Sequence, residues 1–137
     1  MTPLPPSVVM DTNVVSYALK RDTRVALYAP YLATQTRFVS FITTAELYYW
    51  AEDRRWGPRL RRDLDALLRT FDVIHSDEAL CRLWAQTRHV MKRKGLVISL
   101  NDAWVAGTAL YLDAPLVTHN RRDFAAVPGL HLLPEAT

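Results

Sequence analysis

An α/β fold, with a parallel sheet covered by helices on both faces, is what this 137-residue sequence predicts. Three observations carry that expectation. Short apolar runs recur along the chain, among them VVM at 8–10, FVSFI at 38–42 and PLVT at 115–118. Between them lie stretches whose apolar residues return at helical spacing. Strands separated by helices imply right-handed crossovers, which lay the strands parallel. Half of the residues are hydrophobic and only four are glycine, enough for one real core. The whole chain, 1–137, is therefore expected to be a single domain, with 1–6 as a flexible N-terminal segment.

In order, the first strand is residues 8–10, and Val14, Val15, Ala18 and Leu19 mark the helix after it. A second helical stretch is expected over 25–36, weakened by Pro30. Strand two is 38–42, and a helix should start near Thr43 and run until Trp56-Gly57-Pro58 breaks it. Leu60, Leu64, Leu67, Leu68 and Phe71 give an amphipathic helix. Residues 73–75 form a short strand, and Ser76 caps the next helix, which turns Leu80, Leu83, Trp84 and Met91 inward and stops at Gly95. The nearly uncharged stretch 103–112 reads as a buried helix. After it, 115–118 reads as a strand buried on both faces and 131–133 as a last edge strand.

Composition excludes several classes of function. The start, MTPLPPSVVMD, has neither the basic region nor the long apolar region of a signal peptide. No 18-residue apolar run offers a transmembrane helix, so no membrane partner is expected and the default address is cytoplasmic. Cys81 is the single cysteine, which excludes an internal disulfide and any CxxC motif. The net charge of +3 is modest, but arginines gather at Arg54, Arg55, Arg59, Arg61 and Arg62. A second basic stretch is Lys92, Arg93 and Lys94, and a third is Arg121 and Arg122. Such runs suit either a solvated helix face or a polyanion.

Four acids stand out against that map. Asp11 follows strand one, Glu46 lies one turn past strand two, Asp102 opens the buried helix, and Asp123 follows the strand at 115–118. Taken singly, each has a structural reading. Asp11 can cap a helix, and Thr43-x-x-Glu46 can form a capping box. Asp102 can favour a helix dipole, and Asp123 can hold a tight turn. Together they converge on the carboxyl edge of a parallel sheet, where ligands bind at the crevice of reversing strand order. Two carboxylates about 5 Å apart cost roughly 3 kcal/mol at an effective dielectric near 20. A cation would offset that repulsion. Oxygen-only donors select a hard ion, magnesium or manganese. Asp11 and Asp102 are the expected direct ligands, with Glu46 as a further ligand or the group that orients an attacking water. Thr12, Asn13 and Thr118 are expected to support the carboxylates or the substrate.

The segments VMDTNV (9–14), ITTAEL (42–47), NDAWVAGTAL (101–110) and LVTHNRRDF (116–124), closed by PGL (128–130), resemble the PIN-domain family over nearly the whole chain. Within it they resemble the VapC-like toxins of bacterial type II toxin–antitoxin modules. The resemblance implies a three-layer α/β/α sandwich and a metal-dependent ribonuclease acting on RNA. It also implies a homodimer and a cognate antitoxin that holds the enzyme inactive. Asp11, Glu46 and Asp102 carry over directly. Family members place acidic or amide residues at both the Asn120 and Asp123 positions; Asp123 is taken as the charge and Asn120 as its hydrogen-bonding neighbour.

Two other readings have sequence support. Residues 8–14 also resemble the first motif of haloacid-dehalogenase-type phosphatases, but Asn13 stands where a second aspartate is needed, and Lys94 is the sole candidate for the later lysine. A PIN-like scaffold that binds RNA or a partner without cutting is the other. The consecutive aromatics Tyr48, Tyr49 and Trp50, with Trp56 beyond, cannot all face one core. Their outer members are expected to line a groove for an antitoxin helix or a second subunit.

Overall fold

Five parallel strands form one sheet in the computed structural model, which describes residues 3–135. They are β1 (Ser7–Met10), β2 (Thr36–Ser40), β3 (Asp72–Ile74), β4 (Leu116–Val117) and β5 (Leu132–Leu133), in the order β3-β2-β1-β4-β5. Val9 is the centre of the register, opposite Phe38 on one side and Leu116 on the other. Of the segment 1–6, Met1 and Thr2 lie outside the described residues, and 3–6 form no helix or strand.

Alternation along the strands sends side chains to two separate cores. Val8, Met10, Val39 and Val117 face α1 (Thr12–Lys20), α3 (Phe41–Asp53) and α4 (Pro58–Leu68), where they meet Val15, Leu47 and Leu64. Val9, Leu116 and Leu132 face α5 (Glu78–Arg93), α6 (Leu100–Leu112) and α7 (Arg121–Phe124), against Met91, Ala106 and Phe124. The result is a three-layer α/β/α sandwich. Burying a valine or leucine fully contributes about 1.5–3 kcal/mol, so the sheet is held from both faces and not merely along its edges.

From β1 the chain builds outward to β2 and β3 on one side, then returns across the sheet to β4 and β5 on the other. Strand order therefore reverses between β1 and β4, and the crevice beyond their carboxyl ends is the place such sheets keep for a ligand. Asp11 and Thr118 are the first residues past those two ends.

Four local expectations are corrected. Residues 25–36 are not one helix but a 3-10 turn, Thr23–Leu27, then the single-turn α2 (Ala29–Leu32), because Pro30 has no amide to extend a longer helix back through it. Strand two ends at Ser40, so Phe41 and Ile42 are helical. The helix expected near Thr43 starts at Phe41, with the Ser40 hydroxyl accepting the Ile42 N–H at 3.2 Å. That removes the Thr43–Glu46 capping box: Thr43 lies inside α3, fully buried. Asp77 and not Ser76 caps α5, its carboxylate accepting the Leu80 N–H at 2.8 Å.

Candidate active site

Asp11 leaves β1 in extended backbone and caps α1, its Oδ1 accepting the Thr12 N–H at 2.8 Å. The capping role and the crevice position thus coincide in one residue. Its other oxygen, Oδ2, accepts the Thr118 hydroxyl proton at 2.8 Å, and the Thr118 hydroxyl accepts the Asn120 N–H at 3.0 Å. The end of β4 is thereby tied to the end of β1. Asp11 is only 4% exposed. Burial pushes its carboxyl from an ordinary 3.8 up to about 6, against the hydrogen bonds from Thr118 and Thr12. The nearby charges of Asp102 and Glu46 add to the rise.

Glu46 is held by a relay of hydroxyls. Thr12 donates to Glu46 Oε1 at 2.8 Å, and Thr12 and Thr43 hydroxyls are 2.9 Å apart. Thr12 has one hydroxyl proton and gives it to Glu46, so Thr43 must donate to Thr12. This joins α1 and α3 directly beneath the acid. Thr43 was invisible as a supporting residue in the sequence because its hydroxyl reaches back 31 positions.

Asp102 stands in the first turn of α6, whose cap is Ser99: the Asp102 N–H donates to the Ser99 hydroxyl at 3.0 Å. Its carboxyl is raised by burial, opposed by Ser99, and raised further by the charges of Asp123 and Glu46. Asp123 is exposed, the third residue of α7 and not part of a self-closed tight turn. Asn120 precedes that helix and makes no side-chain cap to it, and Asn13 is half-buried in the first turn of α1. Asp102 is thus within electrostatic range of Asp11, Glu46 and Asp123, and Asp11 within range of Glu46, with Asp11 itself at the switch point.

The donor set is oxygen-only, and its mutual repulsion is what a hard cation relieves. Among the described residues no three His, Cys, Asp or Glu side chains stand close enough to hold an ion directly as placed. An ion held here would have to keep part of its water shell, as magnesium does.

Beside this cluster lies a group absent from the sequence reading. His119 follows Thr118, and its Nδ1 is hydrogen-bonded to the hydroxyl of Tyr28, a residue 2% exposed. The Tyr17 ring packs edge-on against the imidazole at 5.3 Å, and Arg24 stacks over Tyr17 at 4.1 Å. No local spacing could reveal it, since Tyr28 and His119 are 91 positions apart.

The basic runs divide. Arg61 binds the Trp56 and Ala51 carbonyls and Glu52, bracing α4 on α3. Lys94 donates to the Ala126 carbonyl at 2.7 Å, which occupies the one lysine a phosphatase reading could use. Arg54, Arg55, Arg59 and Arg62 remain exposed. Of the aromatics, Tyr48 donates to Asp65 on α4 at 3.3 Å, Tyr49 is exposed, and Trp50 is half-buried under Arg54.

The chain is similar to known proteins over nearly its whole length. The family model described as PIN domain matches residues 8–130. Ribonuclease VapC1 of Haemophilus influenzae strain R2866 is 32% identical over 124 residues, covering 89% of this chain and 92% of that protein. The tRNA(fMet)-specific endonuclease VapC of Shigella flexneri is 27% identical, covering 89% of this chain and 92% of its own. Among solved structures, VapBC2 from Rickettsia felis bound to a DNA fragment from its promoter superposes with a TM-score of 0.81 at 28% identity, covering 92% of this chain and 96% of that one. VapBC-1 from nontypeable Haemophilus influenzae gives 0.78 at 30% identity, with the same coverage.

Proposed function

Because the chain belongs to the PIN-domain family, we propose that it is a divalent-metal-dependent endoribonuclease, the toxin of a type II toxin–antitoxin module. The observation that carries this reading is the electrostatic coupling of Asp11, Glu46 and Asp123 to Asp102, with Asp11 standing at the reversal of strand order. A non-cutting scaffold has no need to keep acids within range of Asp102 at the cost of their repulsion.

Asp11 and Asp102 would hold the metal, magnesium or manganese, directly or through its waters, with Asp123 supplying further negative charge. When bound, such an ion stabilises charge on the phosphoryl oxygens and lowers the pKa of a coordinated water. The chain's own part is positioning. Thr12 and Thr118 fix both Asp11 oxygens, so that this carboxylate cannot turn away from the crevice. Thr12 also fixes Glu46 Oε1, which leaves Oε2 to take a proton from the attacking water. Asn120, braced through its backbone on Thr118, and Asn13 would hydrogen-bond the substrate or the carboxylates. Exposed arginines such as Arg122 supply contacts to the RNA backbone.

The proposed partners are RNA, a cognate antitoxin and a second copy of the chain in a homodimer, and the proposed location is the cytoplasm. No helix of the described residues is long and apolar enough to cross a membrane.

The direct experiment incubates purified protein with labelled RNA in magnesium, in manganese and in excess chelator. Cleavage with either metal, abolished by chelator and lowered by orders of magnitude in Asp102→Asn, is the expected result. Cleavage that persists in chelator would remove the metal from the reading. RNA bound but never cut would favour the scaffold.

A further inference from the structure

Beyond the carboxylates, the same face of α3 opens into a second concavity. Ile42, Ala45, Glu46, Tyr49, Trp50 and Asn101 line an open surface cavity of about 320 Å³. Positions 42, 45, 46 and 49 are spaced i, i+3, i+4 and i+7, so they share one helix face. The opposite face, with Thr43, Leu47 and Ala51, is buried. Glu46 is therefore a wall common to the acid cluster and to this cavity.

Tyr49 lies about 4.5 Å beyond Glu46 along the helix axis. It is 63% exposed and belongs to neither hydrophobic core, so packing gives no reason for an aromatic ring there. Beside it, Trp50 packs partly on the core with the Arg54 guanidinium 4.6 Å above its ring. From α6, Asn101 lines the cavity immediately before Asp102. Its amide presents both a donor and an acceptor.

We infer that this cavity receives one unstacked nucleobase of the RNA strand, adjacent to the phosphate at the carboxylates, with the Tyr49 ring as its stacking platform and the Asn101 amide on its edge. The inference rests on the ribonuclease reading and narrows its substrate to RNA with a free base, in a loop or single strand. A base locked in a duplex cannot reach a ring on the helix surface, whereas a splayed base finds the combination such sites use: an aromatic face, a polar edge contact and a nearby cation. Arg54 supplies the cation about 12 Å along the axis from Glu46, within reach of a neighbouring backbone phosphate. A protein helix is the competing occupant, and it needs no polar group at Asn101 and no access to Glu46.

The test measures binding apart from cleavage. Fluorescein-labelled eight-nucleotide single-stranded RNAs of mixed sequence, and a duplex of the same length, are titrated in chelator with the full chain, Tyr49→Ala and Tyr49→Phe. Tyr49→Ala should weaken single-strand binding about five- to 150-fold, the range set by base–aromatic stacking. Tyr49→Phe should stay within about twofold, and duplex binding should not move. Replacing one nucleotide at a time with an abasic unit should find a position that weakens the parent but not Tyr49→Ala, because the two losses are the same contact. In magnesium, Tyr49→Ala should raise KM with little change in kcat. Equal loss for single strand and duplex, or no loss, would overturn the base site, as would a variant that keeps RNA binding but changes its oligomeric state or its affinity for an antitoxin helix. A parent that binds as described but cuts nothing would sink the ribonuclease reading alone. A parent that cuts while Tyr49→Ala is unchanged in KM and binding would sink the base site alone.

Discussion

At Asp11, burial and hydrogen bonding compete over one proton. The carboxyl titrates at about 6 in the folded chain against 3.8 ordinarily, because desolvation outweighs the two hydrogen bonds it accepts. A raised folded value means that the folded state binds the proton more tightly than the unfolded one. The stability this adds is fully present below about pH 4 and is lost as pH rises through 6. The span corresponds to about 3 kcal/mol. Asp11→Asn has no proton to lose, so its stability relative to the parent should improve by up to that amount between pH 4 and pH 7. Any fixed cost from the lost acceptor oxygen leaves the slope untouched. Urea melts of both proteins in chelator at the two pH values read this difference; a constant gap would show that Asp11 is not held against its charge. The same carboxylate was conspicuous in the sequence for a simple reason: a charged group directly after three apolar residues needs a helix or a ligand to satisfy it, and Asp11 caps α1.

For the elements, type and order were legible from periodicity, while the caps and short turns were not. Residues 8–10 are fully buried and most of 103–109 is buried, as a central strand and a core helix require. At 40–46 the sequence offers Ser40, Thr43 and Thr44 within one turn, each a competent cap. The choice depends on which one the end of β2 leaves in extended backbone. It is Ser40, and the displaced Thr43 turns inward to hold Thr12. The Tyr28–His119 pair and the Thr43–Thr12–Glu46 relay join distant positions, which no local spacing encodes. Ser40→Ala should therefore cost about 1 kcal/mol in a urea melt, as the loss of a buried cap does. Ser76→Ala should stay within about 0.5 kcal/mol, since Asp77 does the capping there. If Ser76→Ala proves the costlier of the two, the helix starts are misassigned.

Across the molecule, the acid cluster is where β1, α3, α6 and α7 meet, so the charge balance of the crevice acts on the stability of the whole fold. Asp102 isolates that effect. Ser99 caps α6, so Asp102→Asn leaves the cap in place and keeps the side-chain shape while removing one negative charge. In chelator the variant should be as stable as the parent or slightly more so, because Asp102 no longer repels Glu46 and Asp123. In magnesium the order should reverse. A ligand at about 100 times its dissociation constant adds roughly 2.7 kcal/mol to the folded state, which would raise the parent's Tm by several degrees. The variant should lose most of that gain. A pair of thermal melts, one in chelator and one in millimolar magnesium, reads both arms on the same samples. If Asp102→Asn gained as much from magnesium as the parent, the metal would be held without it, and the ligand set would have to be rebuilt around Asp11, Glu46 and Asp123. A loss of stability already present in chelator would instead mark Asp102 as a structural carboxylate whose contacts outweigh its repulsion. Only the crossing of the two curves fits a crevice that the chain keeps under charge strain until a cation balances it.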